Sequence, residues 1–519
     1  MITITEKKYA TQISSVILIF ALFLVPLSSG SVEDQNGSAV SPDELLTMAD
    51  TAYSGMELLK ANELYQKAED AYIKADDEKG ILHARNGVFN TDYIINTEFC
   101  YNRSDAYSIV TSEQIRNPGF SALNFSPQMI EDILSDPATE HIIIDNQEKR
   151  YFNAFLWNYL GRKGMMKEMN KNQGSTPLYD NLAPFVYVRS HPEGNMPEPE
   201  VINYHAQAEL SLPHTWIPEH GTLKIWIPTP IETDSQTNVT VAIEPAEWVV
   251  RKPDTRGDIG YAYLEVPAEL IQDDLNVSCS YDFTSHERRN LIDPKKVGKY
   301  DVSDKEYITY TQSSKNQVIT PEITGLAQTI IGNETNPYKK AHLLYQYILD
   351  TIPYSYVPHG TNIVLGVPES EYVFKNHVGD CGSQAMFFVA LCRSVGIPAR
   401  TVGAMQDISG PDGYHAWAEV NIPGYGWIPV DSSVAQVIDN SFNATVDEIS
   451  QFHEYYFGNQ DPFRYYVQKD SDISVTPEPR YDIDSIVFLQ IPIIECNTSA
   501  SDLEWAYNWT INFTRENIE

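Results

Sequence analysis

Between Gly379 and Asp431 the chain sets a cysteine, a histidine and an aspartate at the edges of three differently patterned segments. From Ser383 to Val395, the residues Ala385, Met386, Phe388, Val389, Leu391 and Cys392 make a nearly all-round apolar pattern, that of a helix buried on most sides. Gly396 and Pro398 end it. Cys381 therefore stands at a helix start, where unpaired amides and the positive end of the dipole favour thiolate over thiol, and the neighbouring glycines leave room for a substrate. His415, Trp417 and Glu419 alternate with Ala416, Ala418 and Val420, which predicts a strand with His415 on one face. Ile422 to Gly426 reads as a turn and Trp427 to Asp431 as the antiparallel return strand, so His415 and Asp431 meet near the same end of a hairpin. A thiol nucleophile, its base and the base's orienter are the parts of covalent acyl transfer. In that reading His415 takes the Cys381 proton, Asp431 selects the imidazole tautomer, and the Cys381 amide helps hold an oxyanion. Trp417 and, more weakly, Tyr414 are candidates to line the acyl site, although an aromatic on a strand is as often core.

Four spaced blocks resemble one family. Gly379-Asp380-Cys381-Gly382-Ser383-Gln384-Ala385, Arg393 to Arg400, His415-Ala416-Trp417 and Tyr425-Gly426-Trp427-Ile428-Pro429-Val430-Asp431 are similar, in order, to the transglutaminase-like superfamily of papain-like cysteine enzymes, of the prokaryotic secreted type. The resemblance extends over about 250 residues, because Tyr204 to Phe283 is similar to the β-rich region before the catalytic core in prokaryotic relatives, and Tyr455 to Arg464 to the segment after it. It implies Cys381, His415 and Asp431 as the triad.

Charge narrows the partners. Against 36 basic residues stand 71 acidic ones, a formal charge of −35, which disfavours nucleic acid and anionic membrane surfaces. Lys7 and Lys8 precede an apolar run from Ile13 to Leu27 and the small residues Ser28-Ser29-Gly30-Ser31, the parts of a secretory signal. That run is shorter than the roughly 20 residues that span a bilayer, so residues 1–30 are expected to be a cleaved signal peptide rather than a retained anchor, with the body of the protein extracytoplasmic. Membrane association would come only through an uncleaved N-terminal segment. Of the five cysteines, Cys392 follows Cys381 at roughly 16 Å along one helix, too far for a bridge; Cys100, Cys279 and Cys496 leave one disulfide open without choosing the pair. No spacing calls for zinc or another metal, and no cofactor is expected. Nine Asn-x-Ser/Thr sequons leave glycosylation open, and chance in an Asn-rich chain explains many of them.

The remaining chain predicts a multidomain α+β protein. Ser41-Pro42 caps a first helix, Ala61 to Ala75 and Gly80 to Ile95 carry small and aromatic residues at three-to-four spacing, Ser126-Pro127 caps another helix, and Gln147 to Met169 reads as a longer one. Residues 41–175 are thus an expected α-helical domain, tetratricopeptide-like at its start, that either docks a protein partner or simply packs. A Pro- and Gly-rich boundary over 174–199 leads into strands at 200–290, a β-sandwich domain. The catalytic domain is expected over 315–470, with helices at Pro321 to Ile330 and Pro337 to Ile352 and a loop at Tyr354 to Glu371 as a cleft wall; a C-terminal β element occupies 480–515. The substrate class is a protein or peptide amide. Water resolving the acyl-enzyme makes a protease or amidase and a lysine amine makes a cross-linking transglutaminase; hydrolysis is favoured because no calcium loop or amine site is visible. A non-catalytic cell-surface scaffold is the remaining alternative.

Overall fold

The computed structural model describes residues 40–116, 123–173, 177–190, 197–407, 413–441, 443–479, 487–496 and 507–517. The expected signal or anchor at residues 1–30 lies outside the described residues.

The chain opens with three consecutive helices, Pro42–Ser54, Leu58–Ala75 and Glu78–Tyr93. Ser41 and Glu44 close a reciprocal capping box on the first, so the chain turns into helix at Pro42. Small residues set the spacing: a Cβ on Gly80 would come within 2.3 Å of the Tyr72 ring, and one on Gly87 within 2.4 Å of Tyr65. The third helix runs on as a π turn over Ile94–Glu98. Two features of this region depart from the sequence pattern. Where one helix is expected over Gln147 to Met169, a hairpin forms from β1 (His141–Ile144) and β2 (Glu148–Tyr151), followed by short helices Phe155–Arg162 and Met166–Gln173. The cause is local: Asp145 and Asn146 take positive φ of 49° and 60°, the conformation of a tight hairpin turn, and Gly164 at 65° separates the helices. Likewise the Pro- and Gly-rich boundary holds a helix, Pro177–Ser190, although it contains Pro184. Leu182, Phe185 and Val186, at helical spacing, are buried in one core with residues from Ile323 to Phe457 and outweigh the proline.

Six strands follow: β3 (Val201–Leu212), β4 (Thr222–Pro228), β5 (Gln236–Glu244), β6 (Val249–Arg251), β7 (Tyr261–Pro267) and β8 (Leu275–His286). In β3 buried and solvent-facing residues alternate, the signature of a sheet covered on one face. Further along, β9 (Ala399–Gln406), β10 (Tyr414–Ile422), β11 (Gly426–Val430) and β12 (Arg464–Lys469) pair into an antiparallel sheet of order β11-β10-β9-β12. Helices Pro321–Ile331, Pro337–Thr351 and Cys381–Ser394 share its core. The stretch from Tyr354 to Glu371, which reads as loop, contains the helix His359–Val364 and the start of Glu369–Asn376.

The C-terminal strands do not form an element of their own. β13 (Ile493–Cys496) pairs with β4 and β14 (Asn508–Asn517) with β3, so the sandwich sheets have the orders β13-β4-β7-β6 and β14-β3-β8-β5. Ile494, Cys496 and Ile511 lie in the sandwich core, where the sheet of β9 to β12 also contributes Met405, Tyr465 and Val467. Two apolar strand faces with nothing to cover them in isolation are buried by returning to this sheet pair. Cys100, Cys279 and Cys496 form no disulfide; Cys100 lies in the helical region and the other two are buried in the sandwich.

Because the C-terminal strands share one core with β3 to β8, Ile494→Ala and Ile225→Ala should each cost about 2–5 kcal/mol and shift the same transition in thermal unfolding. A separate early transition in Ile494→Ala alone would contradict a shared core.

Candidate active site

Asp380 ends an extended approach and caps the helix that Cys381 begins: its side chain accepts the Ser383 amide at 3.0 Å, while the Ser383 hydroxyl accepts the Asp380 amide at 2.9 Å. The Gln384 amide is taken by the Asp380 carbonyl, so the helix itself makes no use of the Cys381 and Gly382 amides. Every residue from Gly382 to Arg393 is buried, the reason this segment is apolar all round, whereas Cys381 is partly accessible. At the other end Gly396, at φ 77°, lets the Ile397 amide reach back to the Cys392 carbonyl at 3.0 Å.

His415 lies near the start of β10 and Asp431 one residue past the end of β11. The register Ala418↔Val430 to Ile422↔Gly426 puts their ends side by side, and His415 Nε2 meets Asp431 Oδ2 at 2.8 Å. That leaves Nδ1 to face Cys381, which lies close enough to act on the imidazole charge. Asp431 also caps the short helix Ser432–Ala435: its Oδ1 accepts the Val434 amide at 3.0 Å and the Ser433 hydroxyl at 3.1 Å. Burial alone would make an imidazolium at His415 costly, but the Asp431 carboxylate and the nearby Cys381 override it and raise its pKa from 6.5 to about 9. Asp431 is held far below the usual carboxylate range; burial opposes this, and His415 and Arg464 prevail.

Several residues that complete the site are not singled out by the sequence patterns. Arg464, 1% exposed, donates to Asp431 Oδ2 at 2.5 Å and to Asp461 Oδ2 at 2.7 and 3.0 Å. Its guanidinium lies 4.7 Å over the Trp417 ring, which packs 5.7 Å from His415 and 4.9 Å from Tyr466. Trp417 is 1% exposed, so it braces the histidine from the core and does not line an acyl site. Tyr414 packs against the sandwich core. Gln384 and Gln436 tie the site together: the Gln384 amide donates to Gln436 Oε1 at 3.0 Å and its Oε1 accepts the Ser432 hydroxyl at 2.9 Å. Two aromatic side chains flank the nucleophile. Tyr354, 40% exposed, makes an isolated bridge to Gly379, with the Ser355 amide on the Gly379 carbonyl at 2.9 Å, and its phenol lies near Cys381. Phe488, from the C-terminal segment, covers Gly382 and Gly403; a Cβ on Gly403 would come within 2.6 Å of its ring. The sequence signals were weak: Arg464 and Asp461 lie in the block after the core, and Tyr354 in a segment read as cleft wall.

Residues 324–432 match the model of the transglutaminase-like superfamily, a span that includes Cys381, His415 and Asp431. This part of the chain is a transglutaminase-like domain. An uncharacterized protein of Haemophilus influenzae (strain Rd) is 30% identical over 220 residues, 37% of this chain. The chain spans 56% of the length of that curated relative. Among solved structures, one from Cytophaga hutchinsonii described as a candidate cysteine protease is 16% identical, with 62% of this chain and 92% of that chain covered and a TM-score of 0.40. The periplasmic domain of TgpA from Pseudomonas aeruginosa is also 16% identical, with 45% and 96% covered and a TM-score of 0.24. Among the described residues, no group of three or more His, Cys, Asp and Glu side chains could hold a metal ion.

The raised His415 pKa fixes a sign. The ion pair contributes its full stability below the unfolded value of 6.5 and loses it as pH rises through about 9. The His415 ring should titrate near 9 by NMR in the intact protein, and in Asp431→Asn its midpoint should fall well below that, because burial is then opposed by Cys381 alone. An unchanged midpoint would sink this account. Arg464→Met, which strands two carboxylates, should cost about 3–5 kcal/mol in denaturant unfolding.

Proposed function

We propose that this protein is a cysteine-dependent acyl-transfer enzyme that hydrolyses protein or peptide amides outside the cytoplasm. The observation that carries the reading is His415, bonded to Asp431 and set beside Cys381 at the accessible start of a buried helix. In the proposed reaction Cys381 Sγ, having given its proton to His415, forms a bond to the amide carbonyl carbon. The tetrahedral oxyanion draws on the Cys381 and Gly382 amides and on the Tyr354 hydroxyl. As the C–N bond breaks, the imidazolium passes its proton to the leaving amine, and a thioester remains. Water, deprotonated by His415, then attacks the thioester; the C–S bond breaks, the acid departs, and sulfur and imidazole return to their starting state. Asp431 keeps Nδ1 turned to sulfur throughout, and Arg464 keeps Asp431 from turning away.

Hydrolysis is preferred over amine transfer because water reaches any thioester open to solvent, whereas a transglutaminase needs a site that admits lysine and excludes water. The expected N-terminal signal and the −35 charge support an extracytoplasmic setting.

A thiol-reactive activity probe should label Cys381, and the labelling should vanish in His415→Ala; slow labelling indifferent to that change would favour a scaffold. Incubation with cell-envelope protein, followed by mass spectrometry, should yield cut peptides rather than cross-linked ones. Cys381→Ala should abolish cutting, and Asp431→Asn should lower it by about three to four orders of magnitude.

A further inference from the structure

Next to the nucleophile lies a charged cluster that the acyl-transfer steps do not use. His359 Nε2 meets Asp380 Oδ2 at 2.5 Å, and its Nδ1 meets Glu369 Oε1 at 2.9 Å. With a carboxylate on each nitrogen, the ring carries both protons. Although partial desolvation opposes the charge, Asp380 and Glu369 raise its pKa well above 6.5, with the side chain still 41% exposed. Asp380 is the residue before Cys381, and its other oxygen holds the Ser383 amide. A helix cap is needed there, yet its negative charge adjoins the sulfur that must itself become negative. Like charges this close disfavour one another, and a cation on the far oxygen offsets that effect.

His359 opens the short helix His359–Val364, and the helical N-terminal region grips that helix and the extended segment before it. Glu98, only 6% exposed, accepts the Gly360 amide at 3.0 Å and the Thr361 amide at 2.7 Å. The Asn158 side chain brackets Tyr356, accepting its amide at 2.8 Å and donating to its carbonyl at 2.9 Å. The Tyr53 hydroxyl donates to the Val364 carbonyl at 3.1 Å. A Cβ on Gly360 would come within 2.1 Å of the Tyr93 ring, so the contact admits only glycine. Every element around His359 thus brings a titratable group: Asp380 from the nucleophile helix, Glu369 from Glu369–Asn376, Glu98 from the helical region, and the phenols of Tyr354, Tyr356 and Tyr372 within the field of Asp380.

We propose that His359 is a positioning residue for Cys381, offsetting the Asp380 carboxylate at the head of the nucleophile helix, and that the helical N-terminal region is the clamp that holds it there. This deepens the catalytic reading and rests on Cys381 being the nucleophile. The helical region then acts on the cleft through Glu98 and Asn158, whatever else it docks.

The test uses the full chain and iodoacetamide, with alkylation of Cys381 followed by peptide mass spectrometry across pH, so no substrate need be known. In His359→Gln the alkylation midpoint should move to higher pH by about one unit, which is about tenfold slower labelling near neutrality. In Asp380→Asn, which keeps a competent cap, adding His359→Gln should no longer move the midpoint. A residue that merely supported the fold would lower the labelled fraction without this paired response. Should His359→Gln not fold, Glu98→Gln carries the test, with labelling slowed several-fold and the midpoint displaced in the same direction. A wild-type midpoint in a folded His359→Gln, or in Glu98→Gln where that variant stands in, overturns the inference. If Cys381→Ala still cuts protein, the catalytic reading fails instead, and the two failures are told apart.

Discussion

The site depends on a buried chain of charges: Asp461 to Arg464, Arg464 to Asp431, Asp431 to His415. Two carboxylates and a guanidinium out of water would be costly singly, and they persist because each oxygen and nitrogen on the path has a partner of opposite charge or a hydrogen bond. Asp431 illustrates the economy. One oxygen faces both cations, while the other caps a helix through Val434 and Ser433, so the carboxylate has no freedom to rotate away from the histidine. Rigid placement of this kind matters to a base whose tautomer decides whether it can take a proton from sulfur.

Around that chain the fold brings together parts from every region. β10 and β11 supply the histidine and aspartate, the buried helix supplies the cysteine, and β12 supplies the arginine. The C-terminal segment then returns across the front of the sheet. Gln490 donates to the carbonyls of Ala404 and His415 at 2.6 and 2.8 Å, and Phe488 covers Gly403 and Gly382, the residue after Cys381. The strands that follow complete the sandwich, whose core includes side chains of the catalytic sheet. The sandwich and the sheet that carries His415 therefore share one core, and the helical region joins them through the segment around Tyr356 and the helix His359–Val364.

Local patterns were informative where one segment's own residues decide its structure. The apolar run after Cys381, its Gly396 stop and the alternation around His415 are read directly from short-range periodicity, and all three have the expected form. Patterns failed where a distant surface decided. The Pro-rich stretch over 177–190 became helix because three apolar side chains found the catalytic core, and Trp417, a candidate for the acyl site, was drawn inward by Arg464 and Tyr466.

What the sequence by itself determined is the α+β class, the helix that presents Cys381, and the hairpin that brings His415 and Asp431 to one end, since each follows from period and turn residues within some twenty positions. Only the tertiary structure decided that Arg464 anchors the aspartate, that Tyr354 and Phe488 flank the sulfur, that His359 pairs with the cap, and that the last strands belong to the sandwich. Those contacts join residues tens to hundreds of positions apart. Periodicity carries no record of such pairings, because a side chain's partner across space is set by how whole surfaces pack.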